Sequence, residues 1–226
     1  MKYLIFDAGP LISLAMSGLL PMLKKLKKSF DGEFILTPDV KREVIDKPLT
    51  IKKYKLEAVF IKELINEGIF KMSKDFVSDS EVSMQTKKIM KDLNSVLVSQ
   101  RTNERIKIIQ DGEASCLAFA DLCKGESLIV CDERTMRLLT ESPKNLKELM
   151  ERKLHVGLNM KTPDYLTKYN FIRSTELAYV AYKKNLLDVS STPDNLDAVL
   201  YGLKFKGTAV LSEEIEAMKK LAKIKK

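Results

Sequence analysis

Four acidic positions in this 226-residue chain are placed where a metal site would need them. Asp7 directly follows the apolar run Tyr3-Leu4-Ile5-Phe6. Glu43 lies about one and a half turns into the helix expected after Phe34-Ile35-Leu36. Asp111 and Glu113 open a later helix, and Asp132-Glu133 follows Leu128-Ile129-Val130-Cys131. An acid next to four buried apolar residues is unfavourable unless it is paired, hydrogen-bonded or on a metal. If such carboxylates converge, their repulsion raises their pKa values and destabilises the empty site, and a divalent cation relieves this. A donor set of oxygens, with neither histidine nor cysteine, selects Mg²⁺ or Mn²⁺ over zinc. These ions lower the pKa of a water and hold the attacking and leaving oxygens of a phosphodiester. The chemistry is that of a nuclease. Each acid also has a plainer reading, since helix starts attract acids: Asp111 suits an N-cap before Gly112, and Glu113 suits a first-turn position.

For these acids to meet, they must lie at one end of a sheet; in parallel α/β sheets functional residues collect at the carboxyl ends of the strands. The chain alternates short apolar runs with longer helical ones, the pattern of an α/β fold. Tyr3–Phe6 reads as a strand buried on both faces. Leu11 to about Leu26 reads as a helix with Pro10 in its first turn. Phe34–Leu36 is a second strand, and Thr37-Pro38 opens a helix to about Asp46. Leu56, Val59, Phe60, Ile61, Leu64 and Ile65 have helical spacing, ended by Gly68. A strand over Ile69–Met72 and a helix from Ser80 to about Val98 follow. Residues of about 50–100 are therefore expected to form a helical arm or lid. A helix over Asp111–Lys124, a strand over Ser127–Cys131 and short helices over Thr135–Leu139 and Leu146–Arg152 complete a core of residues 1–160. Thr162-Pro163 marks the start of a basic, mostly helical extension, 161–226, with helices over Ser174–Leu186, Pro193–Leu203 and Ser212–Lys223.

Composition bounds the function. With 45% hydrophobic and 31% charged residues, the chain is neither disordered, collagenous nor a coiled coil. A net charge of +8 favours a polyanionic partner such as nucleic acid. No apolar run reaches the roughly 20 residues of a membrane span, and Asp7 interrupts any signal-peptide pattern, so a cytoplasmic location is expected. Cys116 and Cys123 would lie roughly 10 Å apart on one helix, too far for a disulfide. With one histidine, His155, and no CxxC, a Cys/His zinc site is not expected, and all three cysteines read as buried small residues. Lys24, Lys25, Lys27 and Lys28, and the lysine-rich end Lys219–Lys226, are either solvated faces or phosphate-holding surfaces. Tyr165, Tyr169, Tyr179, Tyr182 and Tyr201 are packing residues or base-stacking ones.

The local words YLIFDAGPLISLA around Asp7, LTPDVKREVID around Glu43, DGEASCLAFA around Glu113 and LIVCDERTMR around Asp132 occur in an order that resembles the PIN-domain family. The likeness covers residues 1 to about 140. It implies a PIN-like three-layer fold, a twisted parallel sheet flanked by helices, bearing a Mg²⁺- or Mn²⁺-dependent endoribonuclease site of the VapC-like kind. Asp7, Glu43, Glu113 and Asp132 would then be the catalytic ligands, with Glu133 as a further metal ligand; Asp111 stands as an alternative to Glu113, and Glu133 to Asp132. The resemblance further implies RNA, single-stranded or structured, as substrate, with an antitoxin protein and a second copy of the chain as partners. The competing reading is a PIN fold that binds RNA or protein without cleaving. Phosphatase and receiver-domain patterns fail at Gly9 and Phe6. The Walker-like stretch Gly202–Thr208 lacks the lysine after its second glycine.

Overall fold

The structure, a computed structural model, describes residues 1–163, 166 and 168–223. Its centre is a five-stranded parallel sheet made of β1 (Lys2–Phe6), β2 (Glu33–Leu36), β3 (Phe70–Met72), β5 (Glu126–Val130) and β7 (Phe171–Ile172), in the order β3-β2-β1-β5-β7. A separate antiparallel pair joins β4 (Leu97–Ser99) to β6 (Leu158–Met160). The chain is therefore α/β. β1 is central because every residue from Tyr3 to Phe6 is apolar and buried, so it tolerates a neighbour and a covering layer on both sides.

Strand alternation sends successive side chains to opposite faces. Phe6 packs on Phe34 and Phe70 at ring-centroid distances of 5.3 and 5.0 Å. That face carries α1 (Ala8–Met16), α2 (Leu20–Ser29) and α4 (Lys55–Asn66). Tyr3 on the other face meets Phe76 and Phe119 edge-on at 5.3 and 5.6 Å, which brings in α6 (Asp111–Leu122). The buried stripe Val82, Thr86, Ile89 and Leu93 of α5 (Asp79–Leu93) packs on α6 in turn. The single helix expected over Leu11–Leu26 is two helices, because Gly18 takes a left-handed φ of +67° and turns the chain. The segment 50–100, expected as an arm, supplies the edge strand β3 and the layer helices α4 and α5. The helix expected to reach Val98 stops at Leu93, and Leu97–Ser99 pairs as β4.

After β5 come α7 (Arg134–Glu141) and α8 (Pro143–Leu154). The segment beyond 160 contributes β7, which pairs in parallel with β5, and then α9 (Ser174–Lys183), α10 (Pro193–Phe205) and α11 (Ser212–Lys223). Among the described residues no helix is long and apolar enough to cross a membrane. Three of the four lysines on α2 are ion-paired: Lys24 with Glu67, Lys25 with Asp188 and Lys27 with Glu33. Lys219 of α11 is held by Asp197 of α10 and by Glu216 of its own helix, and residues 224–226 of the lysine-rich end lie outside the described residues. Tyr169 and Tyr182 are buried, Tyr179 and Tyr201 half-buried, and Tyr165 lies outside the described residues.

Candidate functional site

β1 and β5 are neighbours whose following connections leave toward opposite ends of the sheet, since β2 lies beyond β1 and β7 beyond β5. The crevice at such a reversal, outside the carboxyl ends of the strands, is where open α/β sheets bind ligands. Asp7 follows β1 there and is only 6% exposed; its amide extends the ladder by donating to Val130 O at 3.0 Å. Asp132 lies two residues beyond β5 and is 3% exposed.

Glu43 reaches the site from α3 (Pro38–Lys41) through a π-helical turn over Arg42–Asp46, a local widening that re-aims side chains and recurs at functional sites. Thr37 caps α3, and its hydroxyl shares a buried 2.6 Å hydrogen bond with Ser115 of α6. Ser115 also donates to Gly112 O at 2.7 Å. This link ties the helix that leads to Glu43 to the helix that carries Glu113. Gly112 touches Glu43 closely: a Cβ at position 112 would lie 3.1 Å from each of its carboxylate oxygens.

Asp7, Glu113 and Cys131 each present one ligand atom within 4.8 Å of the others. Burial pushes the Asp7 carboxyl up to about 7; the Glu43 and Asp132 charges add to this, and the Ala8 and Gly9 amides offset part of it. Burial pushes Glu113 up to about 8, with Asp7, Glu133 and Glu43 adding to it and the Gln110 amide working against it. Glu43 is raised as well, by burial first, against which Lys47, the Gly112 amide and Arg42 act. Three carboxyls thus resist ionisation together, as clustered acids in a desolvated site must.

The acids left open by sequence are placed differently. Gln110, not Asp111, is the N-cap of α6; its amide donates to Glu113 Oε2 at 2.8 Å, while Asp111 is the exposed first helical residue. Glu133 caps α7, accepting from the Thr135 and Met136 amides and the Thr135 hydroxyl. Asp132 is filled by protein donors: Ser174 N–H to Oδ1 at 2.8 Å, and the Ser174 and Thr208 hydroxyls to Oδ2 at 2.7 and 2.9 Å. Burial still raises its pKa, and these donors offset part of the rise. Comparison with protein-family models, curated proteins and solved structures finds no match.

Two participants were not singled out by sequence reasoning. Cys131, expected as filler and outside an all-oxygen cluster, turns its thiol onto Asp7 Oδ2 at 3.8 Å. Burial, then Asp7 and Glu113, hold that thiol well above its ordinary pKa, so it stays protonated and donates weakly to Asp7. Gly112 left a signal, a glycine inside the first turn of a helix where alanine is preferred by about 1 kcal/mol. A cavity of about 620 Å³ lies at the opposite, amino ends of β1, β5 and β7, lined by Tyr3, Ser127 and Asn170 among others, and holds none of these acids.

Proposed function

We propose that this chain is a PIN-type endoribonuclease that uses Mg²⁺ or Mn²⁺ held by Asp7 and Glu113, with Glu43 beside them. The observation that carries the reading is the approach of Asp7 and Glu113 to within 4.8 Å at the carboxyl ends of a parallel sheet, both with strongly raised pKa values. Buried, mutually repelling carboxylates are unfavourable to the fold and are relieved by a cation. The donor set fits a hard divalent ion: its oxygens are available, and its one sulfur is protonated. When bound, the cation supplies an acidified water and neutralises charge developing on the phosphate.

The chain's own groups divide the remaining work. Glu113 Oε2 is held by the Gln110 amide, which fixes the rotamer and leaves Oε1 for ligation. Glu43 is half-buried and faces the Gly112 amide at the start of α6, and its carboxylate is the one assigned to take a proton from an attacking water. Asp132, with both oxygens engaged, acts on Asp7 through its field. The surplus of +8 over the whole chain draws in the polyanion.

The test is cleavage of end-labelled, mixed-sequence single-stranded RNA with Mg²⁺, Mn²⁺ or EDTA. Wild type should cut only with metal, and Asp7→Asn and Glu113→Gln should each lose roughly 10²–10⁴-fold, the loss of several kcal/mol of charge stabilisation. Cuts that persist in EDTA or in Asp7→Asn would sink the reading. Salt-sensitive RNA binding without cuts would replace it with the non-catalytic module.

A further inference from the structure

A cavity of about 410 Å³ opens between α7 and the segment that leads from α10 into α11, with Thr208, a hydrogen-bond partner of Asp132, in its lining. Its lining includes the apolar Leu138, Val210 and Leu211. Its wall carries Arg134, Arg137, Arg173 and Lys204 against Glu141 and Glu214, an excess of two positive charges. Arg173 is pinned by Glu214 and Glu176, and Arg137 by Glu141. The other two cations keep their charge uncommitted: Arg134 has no ion-pair partner among the described residues, and Lys204 donates to the Ser212 hydroxyl at 2.6 Å. Lys204 also lies 5.6 Å from the centre of the Tyr201 ring, on which Phe205 stacks at 6.0 Å. Phe205 is 78% exposed.

The cavity adjoins Asp132 through one buried residue. Thr208 lines it and donates to Asp132 Oδ2 at 2.9 Å. Gly9 lies between the two aspartates, since a Cβ there would be 3.8 Å from Asp7 Oδ2 and 3.9 Å from Asp132 Cβ. We propose that this cavity is a nucleotide subsite, taking the phosphate and base of the nucleotide next to the one at Asp7 and Glu113. A bare anion site would be polar throughout; here apolar lining residues accompany the cations, and the exposed Phe205 and half-buried Tyr201 stand beside Lys204 at its rim, which suits a base as well as a phosphate. The volume lies within the roughly 300–1,000 Å³ of small-ligand sites. The assignment of the neighbouring nucleotide rests on the nuclease reading, but binding at the cavity can be measured without it.

The experiment is calorimetric titration of the full chain in EDTA with uridine 5′-monophosphate, adenosine 5′-monophosphate and inorganic phosphate. Wild type should bind the mononucleotides at least tenfold more tightly than phosphate. Arg134→Ala, Lys204→Ala and Leu211→Glu should each weaken mononucleotide binding about tenfold or more, while the distant Lys62→Ala should not. The same three variants should raise KM for RNA cleavage and leave kcat near wild type. Equal affinity for phosphate and mononucleotide would overturn the proposal, as would tight binding unaffected by the three changes. Cleavage of RNA with no mononucleotide binding would also overturn it while leaving the nuclease standing. Mononucleotide binding lost in these variants, with no cleavage in any metal, would keep the subsite and remove the nuclease.

Discussion

Asp7 and Asp132 stand at the ends of adjacent parallel strands, both almost fully buried, yet their surroundings differ in kind. Around Asp7 the neighbours are Glu113, Glu43 and a protonated thiol, and the nearest relief comes from two backbone amides. Around Asp132 the neighbours are donors: one amide and two hydroxyls, all from the segment beyond residue 170. The same segment buries Arg173 at 4% exposure, with Glu176, Glu214 and the Ala209 carbonyl satisfying its guanidinium. One carboxylate therefore has two amides and a weak thiol donor set against neighbouring acids. The other is a clamp that fastens the last third of the chain to the sheet. The lesson is that burial alone does not assign a role to an acid; the donors facing it do.

That contrast can be broken most strongly at the clamp. Asp132→Ala leaves Ser174 N–H without an acceptor and the Ser174 and Thr208 hydroxyls with only each other, and we expect a loss of about 3–5 kcal/mol, in line with breaking buried charged networks. Scanning calorimetry should show the transition falling by roughly 10 °C. A drop within 2 °C would mean that the segment is held by other contacts.

At Asp7 the opposite sign is expected. Its folded pKa, and that of Glu113, lies above the unfolded value, so the folded, metal-free chain binds more protons than the unfolded chain between about pH 4 and 8. Stability from these two groups is complete below their unfolded values and falls as pH rises through the folded ones. The melting temperature in EDTA should therefore decline from pH 5 to 8, and Mn²⁺ should restore it at pH 8. Asp7→Asn should flatten the slope and stabilise the metal-free protein at pH 8 by on the order of 2–4 kcal/mol. A rising or flat profile for wild type would show that the cluster is not strained.

The smallest expected effect sharpens the geometry. Gly112→Ala favours the helix by up to about 1 kcal/mol but sets a methyl 3.1 Å from both oxygens of Glu43, which must give way by a few tenths of an ångström. Melting should change little while metal-dependent cleavage falls roughly tenfold, as small misplacements of catalytic groups do. Equal loss of both would make Gly112 a folding residue only.

Sequence periodicity determined most of what is local. The apolar run Tyr3–Phe6, the cap Thr37 with Pro38, and the strand ending near Cys131 fixed which residues stand at strand ends, because alternation and capping depend on neighbours a few positions away. The break at Gly18 was missed, since apolar spacing runs on through the turn and only the left-handed φ marks it. What no local pattern could decide is which acid faces which group. Asp132 finds its partners 42 and 76 residues away, Cys131 reaches Asp7 across 124 positions, and Glu43 meets Gly112 only because Thr37 and Ser115 join two helices. Glu133, equivalent to Asp132 in sequence, is taken by the start of α7 because its side chain folds back on its own helix. Residue type and spacing set the supply of carboxylates at the sheet edge. Tertiary packing alone set the donors and the dielectric around each one, and those decide its charge and its use.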